Sequence, residues 1–169
     1  MDRIWIAGNA GSGKTTLAGR LGGALGIPVY HRDSISWRDD FSPRPEDEQI
    51  ALTKDITASE RWIFEGARFT AAKTDGRLDR CDVIVHLEPN RVLCAYRVFR
   101  RARSKAGRAD LSALDQQPCS VNLLKYVLWE YPGKRRQREA VFTLAGEKGI
   151  QVVKLRMKRD IDGFLSSIK

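Results

Sequence analysis

The sequence predicts a three-layer α/β fold, in which a parallel sheet lies between two layers of helices. Two patterns lead to this prediction. Short apolar runs, typical of strands buried on both faces, recur along the 169 residues of the chain. Segments with apolar residues at helical spacing separate these runs. Strands that alternate with helices form parallel sheets, because each helix packs back onto a face of the sheet.

Three strands are predicted in the first half of the chain, at residues 4–7, 27–30 and 62–64. A helix over residues 15–25 follows the first strand, because leucines recur there at every fourth position and a glycine then caps the C-terminus. Another helix is expected to begin near Pro45, where acidic residues in the first turn favour the helix dipole.

The second half of the chain adds two predicted strands, residues 83–87 and 150–155, and four helices. Capping residues, prolines and the spacing of apolar side chains indicate the helix boundaries. The helices are expected from Asn90 into a basic segment, from Ser120 to Tyr131 before Pro132-Gly133, from residue 134 to 148, and from Asp160 as N-terminal cap towards the end of the chain.

The composition indicates a single domain over residues 1–169. Hydrophobic residues make up 42% and charged residues 30%, which is ordinary for a globular protein. No stretch approaches 18 apolar residues and no signal peptide precedes the first strand, so we expect a cytoplasmic protein without a membrane span. The sequence leaves both a monomer and a homodimer open. The three cysteines form no C-x-x-C pair, which favours reduced thiols over disulfides or a zinc site.

The chain is basic, with a formal net charge of +9, and its charge is clustered. Half of the thirty basic residues lie in three stretches, residues 91–109, 134–138 and 154–159. The first stretch contains no acidic residue. Such clusters bind polyphosphates or nucleic acid, or they form a solvated face.

A glycine-rich loop connects the first predicted strand to the first predicted helix. It matches the phosphate-binding pattern G-x-x-x-x-G-K-[ST], which is meaningful only between a strand and a helix. Glycines let successive N–H groups point at phosphate oxygens, and the helix N-terminus adds partial positive charge. The predicted nucleotide-binding residues are Gly8, Asn9, Ala10, Gly11, Ser12, Gly13, Lys14, Thr15 and Thr16.

Two side chains of this loop are predicted to act on ATP and Mg²⁺. Lys14 can reach the β- and γ-phosphates, which makes it a candidate catalytic residue. The hydroxyl of Thr15 can hold Mg²⁺ and is the predicted metal ligand. The alternative is a glycine-rich turn before a helix, without a ligand.

Polar residues just after the strands are the next candidates, because ligands of open α/β sheets bind beyond the carboxyl ends of the strands. Asp33 follows strand two and Glu65 follows strand three. Either carboxylate can orient an acceptor hydroxyl, accept its proton or hold a Mg²⁺ water; the alternative is a carboxylate that caps a turn. Arg68 is expected to bind an acceptor anion or to lie on the surface. His31 is a candidate ligand contact, whereas His86, within an apolar strand, is predicted to be a core residue.

Two arginines are candidate catalytic residues. Arg97 and Arg101 lie four positions apart on a predicted helix, so they share one face and can converge on one target. Phosphoryl transfer needs positive charge around the moving γ-phosphoryl group. With Lys14 the two arginines would form a cationic cage, and a solvated basic helix is the alternative.

These motifs resemble those of the P-loop kinases related to adenylate and shikimate kinase, and more closely those of the DNA topology modulation proteins. The similarity covers almost the whole chain. Beyond the loop it consists of I-P-V-Y-H-x-D ending at Asp33, W-I-x-x-G at residues 62–66, C-D-x-I-x-x-L-x-x-x-R at residues 81–91 and Y-R-V-x-x-R at residues 96–101.

The resemblance implies a P-loop NTPase fold with strand order 2-3-1-4-5. It further implies an acceptor-binding segment at residues 34–75 and a helical lid at residues 100–120. Arg97 and Arg101 match arginines of the lid helix that contact phosphates in adenylate kinases. Glu65 matches the acidic residue after strand three, where this chain reads Glu-Gly-Ala-Arg and adenylate kinases read Asp-Gly-Phe-Pro-Arg.

Two functions from different classes follow. The first, which we favour, is an ATP- and Mg²⁺-dependent kinase acting on an unidentified small molecule, such as a nucleotide or nucleoside. The loop, Asp33 and the arginine pair all serve this function. The second is an ATP-binding regulator that contacts DNA and hydrolyses ATP slowly. The basic clusters support the second function, but the chain has no recognised DNA-reading motif.

Overall fold

The sheet has five parallel strands, as the sequence predicts. The computed structural model describes residues 1–40, 42–105 and 121–168. The strands are β1 (Arg3–Gly8), β2 (Val29–His31), β3 (Trp62–Glu65), β4 (Val83–Leu87) and β5 (Gln151–Leu155). They lie in the order β2-β3-β1-β4-β5, and every neighbouring pair is parallel. The strand order that the resemblance implies is confirmed.

Strand β1 lies at the centre of the sheet, and its sequence explains why both faces are covered. Successive side chains of a strand point to opposite faces. Trp5 and Ala7 belong to the core on one face, and Ile4 and Ile6 belong to the core on the other. All four side chains are fully buried. A continuous apolar run therefore requires helices on both sides of the sheet.

Helices cover the two faces and complete the three layers. They are α1 (Lys14–Leu25), α2 (Arg32–Ser36), α3 (Glu46–Ala58), α4 (Arg77–Arg80), α5 (Arg91–Lys105), α6 (Val121–Lys125), α7 (Tyr131–Gly133), α8 (Arg135–Glu147) and α9 (Lys158–Ser166). Helices α1 and α9 pack on one face of the sheet, whereas α4 and α8 pack on the other. The three-layer prediction is confirmed.

The second strand begins later than predicted. Ile27 is buried near α1, and its N–H donates to the carbonyl of Gly22 instead of to a neighbouring strand. Pro28 has no N–H to donate to a sheet. The strand therefore starts at Val29 and extends to His31.

The helix predicted to end before Pro132 takes a different course. Its expected first residue, Ser120, lies outside the described residues. A π turn spans Tyr126–Glu130, and the chain then stays largely helical through α7 and α8. Pro132 explains the wide turn, because proline has no N–H for the carbonyl of Leu128, four residues earlier. That carbonyl accepts a hydrogen bond of 3.1 Å from Nη1 of Arg91 instead.

The prediction that Asp160 is the N-terminal cap of α9 was wrong by one turn, because Asp160 lies within the helix. The capping residue is Met157, and Asp160 follows in the first turn. The carboxylate of Asp160 accepts hydrogen bonds from the backbone N–H groups of Met157 (2.8 Å) and Arg156 (2.9 Å). These bonds lower the pKa of Asp160.

The predicted lid at residues 100–120 falls mostly outside the described residues. Its first part, up to Lys105, belongs to α5. Residues 106–120 are not among those that the structure describes. Within the described ranges, no helix has both the length and the apolar character that a membrane crossing needs.

Candidate active site

The glycine-rich loop lies at the carboxyl edge of the sheet, between β1 and α1. Lys14 is the first residue of α1, and no side chain of the described residues caps this N-terminus. The first N–H groups of a helix have no partner within the helix, so they can donate to an anion. Gly11 and Gly13 have φ values of 75° and 100°, a conformation that other residues rarely adopt. The loop thus has the backbone that a phosphate cradle requires.

Gly11 also allows the loop to contact α5 directly. A Cβ at Gly11 would lie 2.4 Å from the carbonyl oxygen of Cys94. Cys94 and Val98 are buried in the small core that α5 shares with the loop and the π turn. Burial raises the pKa of the Cys94 thiol, which therefore stays protonated at neutral pH. The close packing holds this part of α5 beside the loop.

A buried carboxylate lies next to the lysine and the threonine of the loop. Glu65, the last residue of β3, is 8% exposed. Its Oε1 is 3.6 Å from Nζ of Lys14, and its Oε2 is 3.4 Å from the hydroxyl oxygen of Thr15. The same Oε2 is 3.1 Å from Nδ1 of His31, the sheet partner of Glu65 on β2. Nζ of Lys14 also donates 3.0 Å to the carbonyl of Asn9.

The oxygens beside Lys14 fit Mg²⁺. This ion prefers oxygen ligands and is usually held by one or two protein groups together with waters and substrate phosphates. The hydroxyl of Thr15 and the carboxylate of Glu65 are oxygen ligands of this kind. Among the described residues, no three or more His, Cys, Asp or Glu side chains form a group that could hold a metal ion. Thr15 and Glu65 supply oxygen atoms that could hold Mg²⁺.

Asn9 connects the loop to the π turn, which the sequence did not predict. Its Nδ2 donates a hydrogen bond of 2.8 Å to the carbonyl of Val127, and its Oδ1 accepts one of 2.8 Å from the N–H of Ala10. In a regular α-helix the carbonyl of Val127 would bond to the N–H of Tyr131. In the π turn that N–H bonds to the carbonyl of Tyr126. The wide turn therefore leaves the Val127 carbonyl to the loop.

Asp33 lies in the first turn of α2, directly after β2. Its side chain is exposed, and no hydrogen bond or ion pair joins it to another described residue. It follows His31 by two positions, and so lies near the Glu65 end of the sheet. The structure thus brings Asp33 to the same edge as the loop but not into contact with Lys14.

The predicted arginine pair lies on α5. Nη1 of Arg97 is 3.5 Å from the carbonyl oxygen of Gly11, so this side chain lies against the loop. Arg101 follows one turn later on the same helix. Both side chains are exposed. Their helix is held next to the loop, and their catalytic role stays a prediction.

A shallow cleft lies between α2, α3 and the end of β3, and it is lined by residues of the predicted acceptor-binding segment together with Arg32 before it and Arg77 after it. Its lining includes three arginines, Arg32, Arg68 and Arg77. Arg68, the predicted anion ligand, is held by its own chain: it forms an ion pair with Glu46, and Nη1 donates 3.0 Å to Oε1 of Gln49.

Comparisons with known proteins find similarity in structure only. No protein-family model and no curated protein matches the chain. Many solved structures match it, and the three described here match over 99% of the chain. They are a shikimate kinase from Acinetobacter baumannii in complex with shikimate (16% identity, TM-score 0.56, 90% of that chain covered), a shikimate kinase from Bacteroides thetaiotaomicron (19%, 0.57, 96%) and a gluconokinase from Sinorhizobium meliloti 1021 (16%, 0.58, 93%).

The fold is that of the P-loop kinases. At 16–19% identity the likeness is one of fold, and it matches the five-stranded parallel sheet in the order 2-3-1-4-5. The finer resemblance to DNA topology modulation proteins stays a prediction.

A buried ion pair supports the loop after β3, and the sequence did not predict it. Arg77 is 1% exposed and pairs with the carboxylate of Asp75 at 2.7 Å. Its guanidinium lies over the ring of Trp5, 4.6 Å from the centroid, and Nη2 donates 2.8 Å to the carbonyl of Arg68. Trp5 itself donates 2.7 Å to the carbonyl of Gly66. The side chains of Trp5 and Arg77 therefore fix the loop after β3 through its backbone carbonyls. In the sequence, Asp75 indicated only a turn.

His86 is a core residue of β4, as predicted. It is 1% exposed, and its Nε2 lies 3.0 Å from the hydroxyl oxygen of Tyr131. Its Nδ1 has no hydrogen-bond partner among the described residues. Burial, and then the positive charge of Arg138, lower the pKa of His86 to about 3. His86 is therefore neutral at pH 7.

Proposed function

We propose that the protein is a kinase that transfers the γ-phosphoryl group of ATP to a hydroxyl of a small molecule. One observation carries the proposal: Lys14, Thr15 and Glu65 meet at the N-terminus of α1. A lysine, a hydroxyl and a carboxylate at such a place are the groups that bind phosphates and Mg²⁺ in phosphoryl transfer. The P-loop kinase fold supports the same conclusion.

In the proposed reaction the loop holds the triphosphate. The N–H groups of the loop and of the first turn of α1 donate to phosphate oxygens. Lys14 exchanges its bond to the Asn9 carbonyl for the β- and γ-phosphates. Thr15, and Glu65 directly or through water, would hold Mg²⁺, which would supply positive charge at the phosphate oxygens.

The acceptor hydroxyl is proposed to bind beside Asp33. Its oxygen forms a bond to the γ-phosphorus while the bond from that phosphorus to the β–γ bridging oxygen breaks, which leaves ADP. Asp33 orients the hydroxyl and takes its proton, since its carboxylate is exposed and has no partner among the described residues. Arg97 and Arg101 stabilise the negative charge that develops on the transferring group.

The acceptor segment, residues 34–75, and the lid, residues 100–120, keep their predicted parts in this proposal. One structural neighbour is a complex with shikimate. We infer an acceptor in the same size class, a small hydroxylated molecule such as a nucleoside, a nucleotide or a metabolite. The protein would act in the cytoplasm, where ATP and Mg²⁺ are supplied.

A second candidate is the ATP-binding regulator that contacts DNA. The outer surface of α5 favours it: Tyr96 and Phe99 are 57% and 46% exposed. The guanidinium groups of Arg100 and Arg103 lie 5.8 Å from the centroids of these rings. Basic surfaces with exposed aromatic side chains are typical of nucleic-acid binding. An arginine-rich helix also serves a kinase, so this surface alone does not decide between the two functions.

The test is a screen for ATP consumption over nucleotides, nucleosides and small metabolites, with an acceptor-free control. A kinase releases ADP at a rate that depends on one acceptor class, and a phosphorylated product accumulates in equal amount. A slow ATPase releases ADP and inorganic phosphate at the same rate with every compound. The second result, together with tight binding of duplex DNA, would contradict the kinase proposal and favour the ATP-binding regulator.

A further inference from the structure

The three arginines of the acceptor cleft differ in how their charge is balanced. Arg77 is neutralised by Asp75, its buried partner, at 2.7 Å. Arg68 is paired with Glu46. The guanidinium of Arg32, in contrast, forms no hydrogen bond or ion pair with another described residue. The cleft therefore carries one positive charge that the described residues leave without a direct partner.

The backbone holds the stem of Arg32 in place. Gly66 has a φ of 154°, and a Cβ there would lie 2.5 Å from Cβ and 3.0 Å from Cδ of Arg32. The arginine side chain thus lies directly across the glycine, which Trp5 and Arg77 fix through the Gly66 carbonyl. A stem held in this way orients the guanidinium at little entropic cost on binding.

The surroundings of Arg32 disfavour its charge when no ligand is bound. Burial, and then the positive charge of Arg68, lower the pKa of Arg32, and Arg77 acts in the same direction. Asp33 opposes this effect from the next position in the chain, without forming an ion pair with Arg32. A partly buried guanidinium without an ion-pair partner among the described residues gains from an added anion.

We propose that Arg32 binds an anionic group of the acceptor, a carboxylate or a phosphate, and so selects acceptors that carry one. The inference rests on the proposed kinase function and names the acceptor class. A planar guanidinium binds either anion through two parallel hydrogen bonds. Acceptors without a negative charge leave Arg32 unpaired and bind weakly.

The first test measures anion binding without any acceptor. A non-hydrolysable ATP analogue with Mg²⁺ fills the loop, and inorganic phosphate or acetate is then titrated at constant ionic strength while the melting temperature is recorded. The variants are Arg32→Met, which keeps the stem against Gly66, and Arg38→Met as a matched control. Arg38 lies on the surface nearby and pairs with Glu48.

We expect saturable stabilisation of the wild type and of Arg38→Met, and none of Arg32→Met. The two titrations distinguish a phosphate group from a carboxylate as the better ligand. Without anion, Arg32→Met should melt no lower than the wild type, because it removes a charge that burial, and then the positive charge of Arg68, disfavour. A stabilisation that Arg32→Met retains in full would overturn the inference.

The second test uses the acceptors that the ATP-consumption screen finds. Arg32→Met should raise the KM for an anionic acceptor roughly tenfold to a hundredfold, because a charge-assisted hydrogen-bond pair is lost. The KM for ATP should stay within twofold. If neutral acceptors react as well as anionic ones, Arg32 does not select an anion. If the ATP analogue does not change the melting temperature of the wild type, the proposed kinase function fails. The anion titration then still shows whether Arg32 binds an anion.

Discussion

Glu65 and Asp33 are carboxylates at the same edge of the sheet, and their surroundings indicate different roles. Glu65 is buried and contacts Lys14, Thr15 and His31. Asp33 is exposed and has no hydrogen-bond or ion-pair partner among the described residues. We therefore propose that Glu65 acts on the Mg²⁺ and phosphate side of the reaction and Asp33 on the acceptor side.

Asp33→Asn should suppress phosphoryl transfer while ATP still binds within a few-fold of wild type. The amide keeps the shape of the side chain but cannot take the acceptor proton at neutral pH. Nucleotide titration and acceptor-dependent ADP release measure the two effects separately. Asp39→Asn, an exposed change in the same segment, is the control. A collapse of ATP affinity with unchanged acceptor dependence would move Asp33 to the metal side.

His86 should make the protein less stable in mild acid. In the native state its pKa is about 3, whereas the ordinary value is 6.5, so below pH 6.5 the unfolded chain takes up a proton that the native protein does not. The free energy of unfolding should therefore fall as the pH drops from 6.5 towards 3, with a contribution from His86 of about 1.4 kcal/mol per pH unit.

Denaturant titrations at several pH values check this expectation. His86→Gln removes the titrating ring but keeps a group that can bond to the hydroxyl of Tyr131. The difference between the two proteins isolates His86 from the carboxylates that titrate in the same range. Equal pH dependence in both proteins would contradict the assigned pKa shift.

Helix α1 carries two adjacent glycines whose surroundings predict opposite effects of alanine. A Cβ at Gly22 would lie 2.5 Å from Cγ2 of Val29, so Gly22 lets α1 approach β2. A Cβ at Gly23 would meet nothing within 4 Å, and Gly23 is exposed. Gly23→Ala should raise the free energy of unfolding by about 0.5–1 kcal/mol through helix propensity. Gly22→Ala should lower it by about 1–3 kcal/mol through overpacking.

Thermal or denaturant unfolding of the two alanine variants tests this packing of α1 on β2. Each variant serves as the control for the other, because both gain the same helix propensity. A stabilised Gly22→Ala would mean that α1 and β2 do not pack as closely as described.

At the level of secondary-structure elements, the sequence predicted those strands and helices that a local pattern of apolar residues determines. Apolar runs and leucine spacing predicted all five strands and α1 to within a few residues. The π turn was missed because its cause is the absence of one N–H, at Pro132, and its consequence is a contact with Asn9, more than a hundred residues away. The buried pairing of Asp75 with Arg77 was missed because only the packing of Trp5 and Phe64 buries it.

The part of the candidate site that could be predicted consists of motif residues that directly follow predicted strands. The loop and the two carboxylates follow strands, so their common edge followed from the topology of a parallel sheet. The contact between Glu65 and His31 depends on the register of β2 against β3, which no local pattern indicated. The balance of charge around Arg32 likewise depends on residues from α3, from the loop after β3 and from α4.

At the scale of the whole molecule, the basic segment of α5 distinguishes the two candidate functions. If Arg97 and Arg101 serve phosphoryl transfer, replacing either by Ala should lower kcat on the order of a thousandfold. Nucleotide affinity should fall less, because Lys14 and the loop amides still hold the phosphates. If the segment binds DNA, affinity must fall steeply between roughly 50 and 200 mM salt, since each phosphate contact releases counterions.

Duplex binding and ATP turnover of the wild type and of Arg97→Ala/Arg101→Ala measure both effects in one series. We expect weak duplex binding that ATP does not alter, and loss of turnover in the double variant. Tight, salt-sensitive duplex binding that disappears in the double variant while turnover persists would favour the regulator.

The central claim, that the loop around Lys14 performs phosphoryl transfer, has its most direct test in Lys14 itself. Nζ of Lys14 contacts the Asn9 carbonyl and Glu65 at the site edge, so its removal should leave the core packing intact. Acceptor-dependent ADP release and thermal melts are measured for the wild type, for Lys14→Ala and for Lys158→Ala, an exposed control at the start of α9. We expect Lys14→Ala to melt as the wild type does and to have no measurable turnover, while Lys158→Ala stays active. A folded Lys14→Ala with wild-type turnover would contradict the claim.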